Sequence, residues 1–355
     1  MKTIKATRVT KTKKVTAAMK VLGIESTCHT FSIAIVEKRN GKFTVLANEV
    51  AKYPSTCEGY IPWKLADHHA VVFQQLLSDA LAKSHISLSE ISAVAYSQGS
   101  GIGHCLHVGF VAAKTLSKTL AVPLVPVNHS VAHIEIGRAF NCATTDPLIV
   151  YVSGGNTQIL ALDVNNKKEK HYRVYGETID IGIGNFLDVL GRDLQLKPPD
   201  AAGVAHSAGK GKKFIELPYT VRGMNLAFSG LQTYISKKVL PQIKLGKLSA
   251  EDVCYSVQET AFAMLCEAVE RALCHTGKKE LLLCGGNARN QRLQEMLREV
   301  CHEHDVNFAC TSFEYSGDQA AMIALTGIKM LESKSVPRDV TPRQRMRTDS
   351  TRIMW

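Results

Sequence analysis

The sequence predicts an α/β protein of two similar mixed-sheet lobes with a cleft between them. Three observations support this. A pattern of strand, small polar turn, strand and strand occurs twice, over 21–47 and again over 148–175. Helices with 3.6-residue apolar spacing alternate with short apolar strands in both halves. The 355 residues, 45% of them hydrophobic, suffice for two cores of ordinary size.

Taken in order, Val21 to Thr27 is an apolar strand running into a small polar turn, and 31–36 is the strand that returns. After the Arg39-Asn40-Gly41 turn, 42–47 adds a third strand, so the chain opens as a hairpin meander. Residues 65–83 carry apolar side chains at helical spacing, and strand 91–96 empties into a Gly-rich stretch over 97–103. A helix over 108–120 and a strand over 123–127 follow. The second half opens on strand 147–152, turns at Ser153-Gly154-Gly155, and continues with strands 158–162 and 172–175. A long helix over 251–274, a buried strand over 280–284, a Gly285-Gly286-Asn287 turn and a helix from about 291 to 299 come next. The last helix opens beside Asp318. The expected division is a basic, disordered tail over 1–19, an N-terminal lobe over 20–146 plus about 318–335, a C-terminal lobe over 147–317, and a basic tail over 336–355.

The formal net charge of +11 is concentrated at the ends, with +7 over residues 1–20 and +3 over 338–355. Basic tails of this kind suit phosphate backbones, although a solvated tail ahead of a start at Met19 is the simpler reading of the first one. No apolar run approaches the roughly 18 residues that span a bilayer, and no apolar segment follows the basic N-terminus as in a signal peptide. These absences speak against membrane insertion and secretion and predict a cytoplasmic protein. Ten scattered cysteines without a Cys-x-x-Cys pair predict free thiols rather than disulfides or a zinc ribbon.

Two motifs carry chemistry. In Asn128-His129-Ser130-Val131-Ala132-His133 the histidines stand four apart, so both imidazoles project from one helix face and can hold one divalent metal. With 13 histidines in the chain, about 0.5 such pairs arise by chance, so context must decide. That context is Tyr151-Val152-Ser153-Gly154-Gly155, a buried strand breaking into a turn whose backbone N–H groups can approach a phosphate unobstructed. Asp318 fits two roles, a helix N-cap or a hard oxygen ligand beside His129 and His133; spacing alone favours the cap.

The string Gly23-Ile24-Glu25, Ala66-Asp67-His68-His69-Ala70, His129-x-x-x-His133, Tyr151 to Thr157, Gly176-Glu177-Thr178-Ile179-Asp180, Gly285-Gly286, Ser316-Gly317-Asp318 and Arg345 to Asp349 resembles the TsaD/Kae family in order and spacing. These are tRNA N6-adenosine threonylcarbamoyltransferases, and the resemblance is to their archaeal form. It implies the two-lobed actin-like ATPase (ASKHA) fold and one iron or zinc ion held by His129, His133 and Asp318, with Tyr151 as a fourth ligand. It further implies that Tyr151, Val152, Ser153, Gly154 and Gly155 bind the phosphate of threonylcarbamoyl-AMP or ATP, and that Asp188 and Asn290 hold ribose and adenine. The implied reaction moves threonylcarbamate to N6 of the adenosine 3′ to the tRNA anticodon, forming N6-threonylcarbamoyladenosine (t6A); no residue stands out as the general base. The implied partners, beyond tRNA, are KEOPS-type subunits: a small protein kinase, a dimerising subunit and a tRNA-binding subunit.

The chain departs from the family pattern in three places. Pro199-Asp200-Ala201-Ala202 and Ala205 stand where Pro-Gly-Gly-Pro and an acid are usual. Ser100, His104 and His107 replace Pro, Pro and Arg, and Asp318-Gln319-Ala320-Ala321 replaces Asp-Asn-Gly-Ala. Weaker nucleotide contacts with intact metal ligands are the expected result. Three competing readings remain at this level. A kinase or ATPase on the same fold needs no histidine pair. A metallopeptidase would need Glu where Ser130 stands. A tRNA-binding subunit without catalysis would bind and not turn over.

Overall fold

The computed structural model describes residues 18–55, 59–140, 145–164 and 170–355; nearly all of the basic N-terminal segment, with Cys57 and Cys142, lies outside them. The meander is present as β1 (Met19–Glu25), β2 (Thr30–Arg39) and β3 (Lys42–Lys52). Helix α1 (Pro62–Ser84), β4 (Ala93–Gly99), α2 (Gly103–Leu120), β5 (Leu124–Asn128) and α3 (His129–Phe140) complete the first half. Helix α2 starts five residues before the sequence suggests. Burial of Cys105 and Leu106 rewards helix there despite the flanking glycines.

In the second half, β6 (Leu148–Val152), β7 (Thr157–Val164) and β8 (Lys170–Glu177) form a second meander. Then come α4 (Ile183–Asp193), α5 (Ala201–Ala208), and the ribbon β9 (Val221–Arg222) and β10 (Asn225–Leu226). Short helices α6 (Ser229–Tyr234) and α7 (Leu240–Lys244) lead into the long α8 (Ala250–Thr276). The chain continues through β11 (Glu280–Cys284), α9 (Gln291–Glu303), β12 (Asn307–Cys310), α10 (Phe313–Ser316), α11 (Ala320–Glu332) and β13 (Arg352–Ile353).

The two main sheets have the same plan. One runs β3-β2-β1-β4-β5 and the other β8-β7-β6-β11-β12, with β13 added on the β8 edge. In each, the first three strands are antiparallel and the last two pair in parallel. The repeat read from the sequence is therefore a duplicated fold.

Helices α1 and α2 cover one face of the first sheet through residues such as Leu76 and Ala113, and α11 covers the other through Ile323 and Ile328. Helices α4, α8 and α9 bury Phe186, Phe262 and Leu297 against the second sheet. Helix α3 lies between the sheets. Its Ala132 and Ile136 pack towards α11, while Val131 and Ile134 pack on Ile149 and Leu160 of the second sheet. Every residue from His129 to Gly137 is buried in consequence. Its polar members are paired across the lobes: the Glu135 carboxylate meets Lys329 Nζ at 2.5 Å and accepts from the Tyr172 hydroxyl.

Residues 336–355, expected as a tail, form a strap over both lobes. Gln98 Nε2 donates to the carbonyls of Asp339 (3.0 Å) and Thr341 (2.9 Å), and the Tyr96 hydroxyl donates to that of Val340. Thr348 Oγ1 donates to Gln158 Oε1 at 2.8 Å, Arg347 reaches Glu177 at 3.2 Å, and Arg352 pairs with His171 in the β8–β13 ladder. Few apolar side chains are involved, so hydropathy could not reveal the strap. Cys105, Cys254, Cys266, Cys284 and Cys301 are buried thiols, as expected.

Candidate metal centre and nucleotide cavity

Strand β5 hands the histidine pair to the interlobe helix. Asn128 Oδ1 accepts from the N–H groups of Ser130 (3.0 Å) and Val131 (3.2 Å), so the asparagine caps α3 and places His129 in its first turn. His133 follows one turn on, with the two rings 4.7 Å apart. Asp318 arrives from the end of α10: its Oδ1 lies 3.1 Å from His133 Nε2 and 3.6 Å from His129 Nε2. It does not cap α11. Gln319 does, accepting from Met322 N–H at 3.0 Å, which overturns the cap reading of Asp318 and frees its carboxylate for the histidines.

His129, His133 and Asp318 can each offer one ligand atom, all within 4.8 Å of one another. Tyr151 closes the group from the end of β6, its ring 5.5 Å from that of His133 and its buried hydroxyl without a hydrogen-bond partner among the described residues. Burial pushes that phenol well up, and the nearby Ser153 and Ser130 hydroxyls oppose the shift without forming a bond of acceptable geometry. Two imidazoles, a carboxylate and an orphaned phenol suit a divalent transition metal.

Glu25, buried at the end of β1, stands in the Gly23-Ile24-Glu25 motif but was given no role from sequence. Its Oε2 lies 2.9 Å from His129 Nδ1, and its Oε1 accepts from Thr27 N–H at 2.7 Å and from the Thr27 hydroxyl. A carboxylate behind a ligating histidine orients the ring and leaves Nε2 facing the metal position. Its sequence signals were that motif and an acid closing an otherwise apolar strand. Burial pulls the His129 imidazole down, but Glu25 and then Asp318 outweigh it and hold it up at about 9. Burial dominates at His133, which is shifted down. Asp318 is pushed up by burial, yet its hydrogen bond to His133 and the two imidazoles hold it well below the usual carboxylate range.

The cluster opens on a cavity of about 420 Å³ whose lining includes His129, Tyr151, Ser153, Gly154, Gly155, Asp188 and Asp318. The turn after β6 closes on itself: Ser153 N–H donates to the Asn156 carbonyl at 2.8 Å, and Asn156 N–H donates to Ser153 Oγ at 3.1 Å. Gly154 and Gly155 then face the cavity, and a Cβ on Gly155 would meet nothing within 4 Å. Val152 is not part of the lining: its side chain is in the core and its carbonyl lies where a Cβ on Gly285, at a φ of +96°, would fall. Asp188 accepts from Ala201 N–H at 2.9 Å, and burial shifts its carboxyl upward. Asn290 caps α9 and donates to Gln258 Oε1 at 3.0 Å. It lines a second cavity of about 580 Å³, together with Ala205, Tyr255 and Arg292, so Asp188 and Asn290 do not share one wall.

Fold and site define a two-lobed protein of the actin-like ATPase (ASKHA) class with a metal-ligand cluster in its cleft. The profile described as "TsaD: tRNA N6-adenosine threonylcarbamoyltransferase" matches residues 44–325, and the chain belongs to that family. The tRNA N6-adenosine threonylcarbamoyltransferase of Thermococcus sibiricus is 41% identical over 339 residues, covering 95% of this chain and 100% of that one. The protein of the same name from Staphylothermus marinus is 45% identical over 346 residues, covering 94% and 99%. A "Probable bifunctional tRNA threonylcarbamoyladenosine biosynthesis protein" of Methanothermobacter thermautotrophicus is 41% identical over 95% of this chain and 61% of its own length. Crystalline HypF of T. kodakarensis superposes with a TM-score of 0.59 at 15% identity, covering 91% of this chain. This chain spans 49% of that structure, and the likeness concerns the fold alone. No helix among the described residues is long and apolar enough to cross a membrane.

Proposed function

We propose that this chain transfers the threonylcarbamoyl group from threonylcarbamoyl-AMP to N6 of the adenosine just 3′ of the anticodon, adenosine-37, in tRNAs that read codons beginning with A. The observation that carries this reading is the opening of the His129–Asp318 cluster and the Ser153–Gly155 turn onto one cavity. His129, His133, Asp318 and Tyr151 would hold an iron or zinc ion, with Glu25 orienting the His129 ring, and the ion would supply Lewis-acid polarisation of the acyl carbonyl.

The N6 amine attacks the carbamoyl carbon, a C–N bond forms, the C–O bond to phosphate breaks, and AMP and one amine proton leave. The Gly154 and Gly155 N–H groups face the departing phosphate and stabilise its charge. Asp188 and Asn290 hold the nucleoside from two sides. The acceptor lies in a single-stranded loop, so little unstacking is required. The protein acts in the cytoplasm within a KEOPS-type assembly containing a small protein kinase, a dimerising subunit and a tRNA-binding subunit. The bifunctional relatives support such association.

Transfer of labelled threonylcarbamate to unmodified tRNA tests the reading, with and without these partners. Modified adenosine that vanishes in His129→Ala/His133→Ala is the expected result. Absence of product from folded, metal-loaded protein under every partner condition rejects it.

A further inference from the structure

The strap is fixed by backbone to the loop that contributes to the lining of the candidate metal cavity. Arg343 N–H donates to the Gln98 carbonyl at 2.7 Å, and Gly101 N–H donates to that of Gln344 at 3.1 Å. Asn128, which caps the helix bearing the metal ligands, donates through Nδ2 to the Arg347 carbonyl at 2.9 Å. The loop is shaped to admit the strap. Gly99 sits at a φ of +156° where a Cβ would collide with the Arg343 carbonyl, and a Cβ on Gly103 would collide with the Gln344 side chain. Ser100 and Gly101 of the same loop line the cavity that holds His129 and Asp318.

This arrangement presents Arg343, Arg345 and Arg347 to solvent on the segment bonded to that loop. Arg347 is committed to Asp349 and, across the lobes, to Glu177. Arg343 pairs with Asp339 in solvent, where such a pair is weak and exchangeable. No hydrogen bond or ion pair engages the Arg345 guanidinium among the described residues. When one base of an RNA loop enters a cavity, its flanking phosphates stay at the mouth, and a guanidinium fork matches a phosphate better than an ammonium does.

We propose that Arg343 and Arg345, on the segment bonded to the Gly99–Gly103 loop, grip the phosphates flanking the adenosine that enters the site. The inference rests on the tRNA substrate proposed above. Arg347 acts instead as a clamp between the lobes.

The test compares full-length wild type, Arg345→Gln, Arg343→Gln/Arg345→Gln and Arg345→Lys. tRNA binding is measured across 50–200 mM salt, and transfer is measured against tRNA and adenylate concentration. The slope of log affinity against log salt should fall by about 0.7 per arginine removed. KM for tRNA should rise several-fold with kcat and KM for the adenylate unchanged, and Arg345→Lys should recover most of the slope. An unchanged slope and tRNA KM in a double variant that melts like wild type overturn the inference while leaving the transferase reading intact. Wild type that binds tRNA without transferring under every partner condition rejects that reading, and the slopes still decide the role of the arginines. Wild type that binds no tRNA overturns the inference.

Discussion

Glu25 and His129, 104 residues apart in sequence, meet at 2.9 Å through Oε2 and Nδ1, joining the end of the first strand to the first turn of the interlobe helix. The contact fixes which imidazole nitrogen faces Asp318. Glu25→Gln keeps the shape and removes the charge, and metal affinity should fall about 10- to 100-fold. Competition titration against a chromophoric chelator reads this directly, and an unchanged affinity would remove Glu25 from the centre.

The same pair makes the ion-free protein sensitive to pH. The folded-state value of about 9 lies above the ordinary imidazole value of 6.5, despite the opposing effect of burial. The pairing therefore stabilises fully below about pH 6.5 and is lost as pH rises through 9. The loss is on the order of 3 kcal/mol. Metal binding displaces the His129 proton, so metal affinity should climb up to about tenfold per pH unit until pH 9. Urea unfolding of chelated protein between pH 6 and 10 should show the loss, and Glu25→Gln should abolish it.

Tyr151→Phe separates ligation from packing. The ring stays, while a buried hydroxyl without a partner goes, so chelated protein should gain up to about 1 kcal/mol. Metal affinity should fall if the phenol is a ligand. A variant equal to wild type in metal titration would assign Tyr151 to packing alone.

Glu135→Ala should cost about 3–5 kcal/mol, because it leaves Lys329 and Arg138 around a dry site without their carboxylate. Denaturant unfolding is the check, and a loss under 1 kcal/mol would show that the network is dispensable. Metal binding in the refolded variant should be weaker too, since Glu135 seats the helix that carries both histidines.

The sequence conveyed the strands and the doubled lobe because each core strand is a short apolar run bounded by turn residues, as in Leu148–Val152 followed by Ser153-Gly154-Gly155. The histidine pair was legible because its spacing is local. Spacing alone favoured the cap for Asp318 because two polar residues in succession compete for it, and only the approach of His133 decides for Gln319. The role of Glu25 was not legible because its partner is supplied by tertiary structure. The strap escaped for a related reason: its anchors are main-chain groups accepting from Gln98 and Asn128, and backbone leaves no mark on hydropathy.

The strap has a consequence for assembly of the native state. Its hydrogen bonds close long loops, 170 residues between Arg347 and Glu177 and 244 between Val340 and Tyr96. Contacts so distant along the chain form late and slowly. Both lobes are translated before the segment that latches them, so the cleft is finished only after the rest of the molecule has taken shape.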